Sequence, residues 1–89
     1  MPSYHIIVKG QVQGVFYRAN AKKIADNLGI TGWIKNTRQG NVEITATGNG
    51  DSLDMLINWC KKGSEKSIVE EVIADEVPEK HFDTFSIER

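Results

Sequence analysis

Tyr4-His5-Ile6-Ile7-Val8-Lys9-Gly10-Gln11-Val12-Gln13-Gly14-Val15-Phe16-Tyr17-Arg18 starts β-branched, passes through a polar, glycine-containing stretch, and ends where the apolar period changes. Tyr4 to Lys9 predicts a strand closed by Gly10. Past Gln11 to Gly14, apolar residues fall at Ala21, Ile24, Ala25 and Leu28, the i, i+3, i+4, i+7 spacing of one helical face. Gly29 then supplies a C-terminal stop. The chain thus opens with a strand feeding a helix through a short loop.

Working outward, Trp33 to Lys35 and Val42 to Thr47 predict two strands, the second alternating Val42, Ile44 and Ala46 with Glu43, Thr45 and Thr47. Thr37 to Asn41 between them has hairpin composition. Asp51 predicts the N-cap of a second helix whose apolar stripe is Leu53, Leu56, Ile57 and Cys60, with Gly63 as its end. Met55 and Trp59 flank that stripe and are expected to pack on the core. Ile68 to Val77 and Thr84 to Glu88 add two strands around the Pro78 loop, with Phe85 and Ile87 on one face.

The order β, α, β, β, α, β with a short terminal β leaves two one-striped helices that must bury their stripes on a common sheet. That is an α+β, ferredoxin-like βαββαβ sandwich: an antiparallel or mixed sheet, both helices on one face, and a short C-terminal strand. With 89 residues and no linker, repeat or low-complexity tract, one domain over 1–89 is expected.

Composition narrows the function. A hydrophobic fraction of 39% against 26% charged fits a packed chain rather than a disordered one. The formal charge of -1 offers no basic field for nucleic-acid phosphates, and no aromatic-rich RNA-binding signature is present. Cys60 is the lone cysteine, so neither an intrachain disulfide nor a cysteine-based zinc site is expected. Without a signal-like start or an apolar run of ~20 residues, the expectation is a cytoplasmic protein with no membrane partner.

The chemistry concentrates in the first loop. A helix start leaves four amides unpartnered, and Ser, Thr, Asp or Asn usually caps them. Residues 11 to 18 contain none of these, while Arg18, Lys22 and Lys23 crowd the end where the helix dipole disfavours cations. An anion bound by the amides and by Arg18 accounts for both oddities. So does a plainer set of facts: a turn glycine at Gly14, hydrated amides and a solvated Arg18. The loop matches neither the dinucleotide nor the P-loop pattern.

Val12-Gln13-Gly14-Val15-Phe16-Tyr17-Arg18 resembles the VQGVxFR signature of the acylphosphatase family, and Gly32-Trp33-Ile34-Lys35-Asn36 resembles its GWVxN signature. The likeness continues through Gln39-Gly40-Asn41-Val42-Glu43, Gly48 and the terminal Phe85-Ser86-Ile87. It implies hydrolysis of acyl phosphates to carboxylate and inorganic phosphate by direct water attack, with no cofactor and no metal. By position, Arg18 binds the phosphoryl oxygens, the backbone amides of Gln13, Gly14, Val15, Phe16 and Tyr17 cradle them, and Asn36 orients the water. Inorganic phosphate or sulfate should occupy the same cradle; independently of the resemblance, a monomer is the default expectation, with the oligomeric state left open. The chain departs from the pattern at Gln11, where many members carry arginine, and at Gln39, where the hairpin aspartate is usual. Tyr17 replaces phenylalanine, with packing beneath the loop at stake, and Gly63-Ser64-Glu65 lacks a frequent proline.

The resemblance and the composition agree. An acyl phosphate has a good carboxylate leaving group, so positioning and charge stabilisation supply most of the catalysis. His5 sits within a strand, His81 in a charged turn, and Cys60 on an apolar stripe, so none is assigned a catalytic part. The alternative is a non-enzymatic anion- or ligand-binding module on the same fold.

Overall fold

The computed structural model describes residues 1–89. Its elements are β1 (Ser3–Gln11), α1 (Tyr17–Asn27), β2 (Thr31–Asn36), β3 (Val42–Thr47), α2 (Gly50–Lys62), β4 (Ile68–Val77) and β5 (Phe85–Ile87). The strands form one sheet in the order β4-β1-β3-β2-β5, antiparallel except for the parallel pair β2 and β5. This is the mixed α+β sandwich that the patterning predicts.

Period-2 alternation builds the core. Ile6, Ile44 and Ile34 stand in register across β1, β3 and β2 and are fully buried. Over them lie Ala21 and Ala25 of α1 and Leu53, Leu56 and Cys60 of α2, which places both helices on one face. Burial of each large aliphatic side chain contributes about 1.5–3 kcal/mol. Trp59 packs against this cluster as expected, whereas Met55 is exposed.

Further expectations need correction, beginning with β2, which runs over Thr31–Asn36 rather than Trp33 to Lys35. The first strand does not close at Gly10: it runs on to Gln11 through an irregularity between Lys9 and Gly10. Gly10 has φ 133°, and a Cβ there would lie 2.1 Å from the Ile68 carbonyl oxygen. The glycine therefore lets β4 approach rather than ending β1. The N-cap of α2 is Asn49, whose Oδ1 accepts the Ser52 amide at 2.8 Å; Asp51 sits in the first turn, where its charge suits the dipole. The last strand is shorter than proposed, Phe85–Ile87. Thr45 and Thr47, on the non-helical side of β3, are also buried. Thr47 Oγ1 donates to the Lys80 carbonyl at 2.8 Å and lies 2.6 Å from Ser3 Oγ, which accepts the Lys80 amide at 2.9 Å. These hydroxyls tie down the connection that follows β4.

Tyr17 does not disturb the packing under the loop. It is buried, its ring centroid lies 5.0 Å from that of Trp59, and its hydroxyl donates to the Cys60 carbonyl at 2.9 Å. Burial first, then the neighbouring Cys60, raises the Tyr17 phenol well above its ordinary range. Burial pushes the Cys60 thiol from 9.0 up to about 11, with the Tyr17 hydrogen bond acting weakly the other way. A proton held more tightly folded than unfolded contributes stability that is complete below the unfolded value and lost as pH rises through the folded one. Urea midpoints should therefore decline between pH 9 and about 11, and Cys60→Ala should flatten part of that decline. An unchanged slope in the variant would assign the decline to other groups.

Candidate active site

The loop between β1 and α1 carries an unusual backbone. Gly14 has φ 73°, and Phe16 adopts φ 62°, ψ 20° as the N-cap of α1, with no side-chain cap bond. A bulky residue in the left-handed region costs about 1–2 kcal/mol. A left-handed residue followed directly by helical Tyr17 is a backbone alternation of the kind that forms anion-binding concavities. No loop, turn or side-chain hydrogen bond is donated by the amides of Gln13, Gly14, Val15 or Phe16. The Phe16 side chain is 74% exposed beside them.

Two side-chain contacts hold this loop, and the sequence signals neither. Ser64 Oγ donates to the Val15 carbonyl at 2.7 Å and so braces the loop from behind. Gln13 Nε2 donates to the carbonyls of Thr37 and Asn41, both at 2.8 Å, and so joins the loop to the hairpin after β2.

Arg18 is half-buried in the first turn of α1. It enters no ion pair, and its one hydrogen bond, from Nη1 to the Glu88 carbonyl, is a long 3.4 Å. Most of its five donors are free for a ligand. A recess of about 300 Å³ is lined by Gly14, Phe16, Arg18, Ala19 and Ile87. Asn36 ends β2 two residues after Ile34, which puts it on the helix-covered face. Its Oδ1 is buried and accepts nothing from the protein, an exception among buried polar atoms. Asn36 lines a different, polar recess with Lys35, Thr37 and Arg89. Arg18 and Asn36 are related through the chain after β5: Arg18 reaches the Glu88 carbonyl, and the Glu88 amide donates at 2.8 Å to Ile34, two residues before Asn36.

The other two cations of α1 line neither the Arg18 recess nor the Asn36 recess. Lys22 is occupied by Asp26 at 3.0 Å and by the Phe85 carbonyl at 2.7 Å. Lys23 lines a groove with Trp59 and Lys62 and, on its other side, a recess behind Val15 and Phe16. His5 Nε2 lies 2.7 Å from Glu43 Oε2 on the sheet. Its strand partners Thr45 and Asp75 fall on the face that the helices leave open.

The acylphosphatase family model matches residues 4–87. The chain belongs to the acylphosphatase family. An acylphosphatase of Marinobacter nauticus is 47% identical over 75 residues, covering 84% of this chain and 82% of the relative. One from Syntrophus aciditrophicus is 39% identical over 98% of this chain and 92% of its own. The crystal structure of acylphosphatase from Bacillus subtilis superposes with a TM-score of 0.97 at 37% identity, covering all of both chains. Family membership brings acylphosphatase activity and the standing of a hydrolase on a ferredoxin-like fold.

Proposed function

We propose that this chain hydrolyses small-molecule acyl phosphates, with Arg18 and the loop amides of Gln13 to Tyr17 holding the phosphoryl group and Asn36 orienting the attacking water. The observation that carries this reading is the uncapped, left-handed start of α1 beside a guanidinium without a carboxylate partner. Arg18 and the amides stabilise charge on the equatorial oxygens. The asparagine amide does not ionise near neutrality, so Asn36 holds water by hydrogen bonds rather than by taking its proton. Water oxygen bonds to phosphorus, the bond from phosphorus to the acyl oxygen breaks, and its electron pair leaves on the carboxylate. The proton passes to a phosphoryl oxygen of the substrate.

The decisive experiment is hydrolysis of benzoyl phosphate, run with EDTA present. Release of benzoate and phosphate supports the enzyme; binding of phosphate without turnover supports the non-enzymatic module instead. For Asn36→Ala, kcat should fall about 10²-fold while KM changes little, since the side chain acts on water rather than on ground-state phosphate. Raised KM at unchanged kcat would move Asn36 into substrate binding.

Inorganic phosphate, and sulfate with the same tetrahedral shape, should bind the cradle and inhibit competitively. The unfolded chain has no converged amides, so phosphate at 100 times Kd should add about 2.7 kcal/mol to the unfolding free energy. Chloride at equal ionic strength should add less. A melting temperature indifferent to tens of millimolar phosphate would exclude a preformed anion site of useful affinity.

One domain over 1–89, a monomer in the cytoplasm, completes the proposal. The exposed acidic residues Glu70, Glu71, Asp75 and Glu76 along edge strand β4 disfavour strand pairing between copies, which supports the monomer. The unpaired buried Cys60 suits a reducing compartment.

A further inference from the structure

We propose that the Gln13 side chain is a positioning residue that sets the distance between the phosphate cradle and the water held by Asn36. The inference rests on the roles proposed for the cradle and for Asn36. Gln13 lies in the loop whose amides form the cradle, and its Nε2 spans the carbonyls of Thr37 and Asn41, 2.8 Å from each. Thr37 directly follows Asn36 in the chain. The two carbonyls are the ends of one tight turn: the Thr37 amide donates to the Asn41 carbonyl at 2.9 Å, and the Gly40 amide to the Thr37 carbonyl at 3.2 Å. Asn41 closes it by donating its amide to Thr37 Oγ1 at 3.2 Å. The hairpin thus satisfies its own carbonyls once without help from Gln13.

The second pair of bonds adds little that the hairpin needs for itself and joins two segments 24 and 28 residues apart. A single planar NH₂ group with both protons engaged fixes direction as well as distance, so the loop cannot slide along or rotate about the turn. Asn36 has nothing comparable, because its Oδ1 accepts no bond from the protein. Its place relative to the phosphorus is therefore set by the backbone on either side. Upstream that backbone is locked in the sheet through the Asn36 and Val42 pair, and downstream it is held to the cradle by Gln13. Nucleophile and phosphoryl group must stand in line, and a misplacement of 1 Å costs about 10²-fold in rate.

The test is a double-mutant cycle of Gln13→Met and Asn36→Ala, with kcat and KM for benzoyl phosphate, the inhibition constant of inorganic phosphate and the melting temperature measured for each variant. Methionine keeps the length of the side chain and removes both donors. Gln13→Met should lower kcat about tenfold or more, with a smaller change in the phosphate inhibition constant. In the Asn36→Ala background the same substitution should lower kcat by less than about threefold, because the group it positions is gone. Gln13→Glu, which sets a carboxylate against two carbonyl oxygens, should lower kcat at least as far. Equal loss in both backgrounds, unchanged kcat, or a loss that tracks phosphate affinity would overturn the proposal. If Asn36→Ala alone leaves kcat intact, the role given to Asn36 fails first, and the cycle separates the two failures. Should Gln13→Met fail to fold, Gln13→Leu at the same position supplies the second variant, judged by the same ratio.

Discussion

Arg18→Ala is expected to lower kcat/KM for benzoyl phosphate by about 10³-fold or more, the range seen when a guanidinium is removed from a phosphoryl-transfer site. The fold should survive. Arg18 is half-buried, pairs with no carboxylate and makes one long hydrogen bond, so its loss should shift stability by no more than about 0.5 kcal/mol. Arg18→Lys should recover little, because a point ammonium on a flexible stem cannot reproduce the planar fork. Both variants should also lose most of the stabilisation by phosphate and sulfate. Steady-state kinetics and urea denaturation on the same samples separate the two effects. Near-normal turnover by the alanine variant would end the mechanism.

The largest effect on stability is expected at a glycine that touches no ligand. A Cβ at Gly32 would lie 1.9 Å from the Thr45 carbonyl oxygen, and the residue holds φ 140°. Because the obstacle is backbone of the neighbouring strand, relief requires parting β2 from β3. Gly32→Ala should cost roughly 3–5 kcal/mol, the upper end of single-substitution effects and a large share of the marginal stability of a small domain. Gly40 separates collision from strain: its φ is 87°, but nothing lies within 4 Å of a Cβ built there. Gly40→Ala should cost only about 1–2 kcal/mol, the left-handed penalty alone. Comparable urea midpoints for the two variants would refute this account.

Most strands and both helices were legible because each needs only local alternation or helical spacing, as in Val42 to Thr47 or Ala21 to Leu28. The errors arose where one residue type serves two purposes. Gly10 is equally at home ending a strand and admitting a neighbouring one, and only the approach of Ile68 decides between them. Asn49 and Asp51 are both good caps two residues apart, and the bond from the Ser52 amide selects Asn49. In the candidate site, the missing cap before Arg18 was visible in the residues themselves. The braces at Gln13 and Ser64 were not, because their partners lie 24, 28 and 49 residues away and an amide or hydroxyl does not advertise which carbonyl it will meet. The buried Oδ1 of Asn36 was hidden for a similar reason: a polar residue before a hairpin reads the same whether water or protein surrounds it.

The strand order also governs how the chain reaches its native state. β1 pairs on one side with β3 and on the other with β4, in registers that join Ser3 to Thr47 and to Val77. The first strand to be synthesised must therefore wait for one of the last before its second edge is covered. Closing such long loops costs entropy before the contacts repay it, so refolding should fall in the millisecond-to-second range of topologies dominated by distant pairings. During synthesis on a ribosome, β1 with its apolar Ile6, Ile7 and Val8 stays open along one side until Ile68 to Val77 has emerged. The interval in which this chain is most prone to aggregate is thus set by the position of β4 near its C-terminal end, independently of how stable the finished fold is.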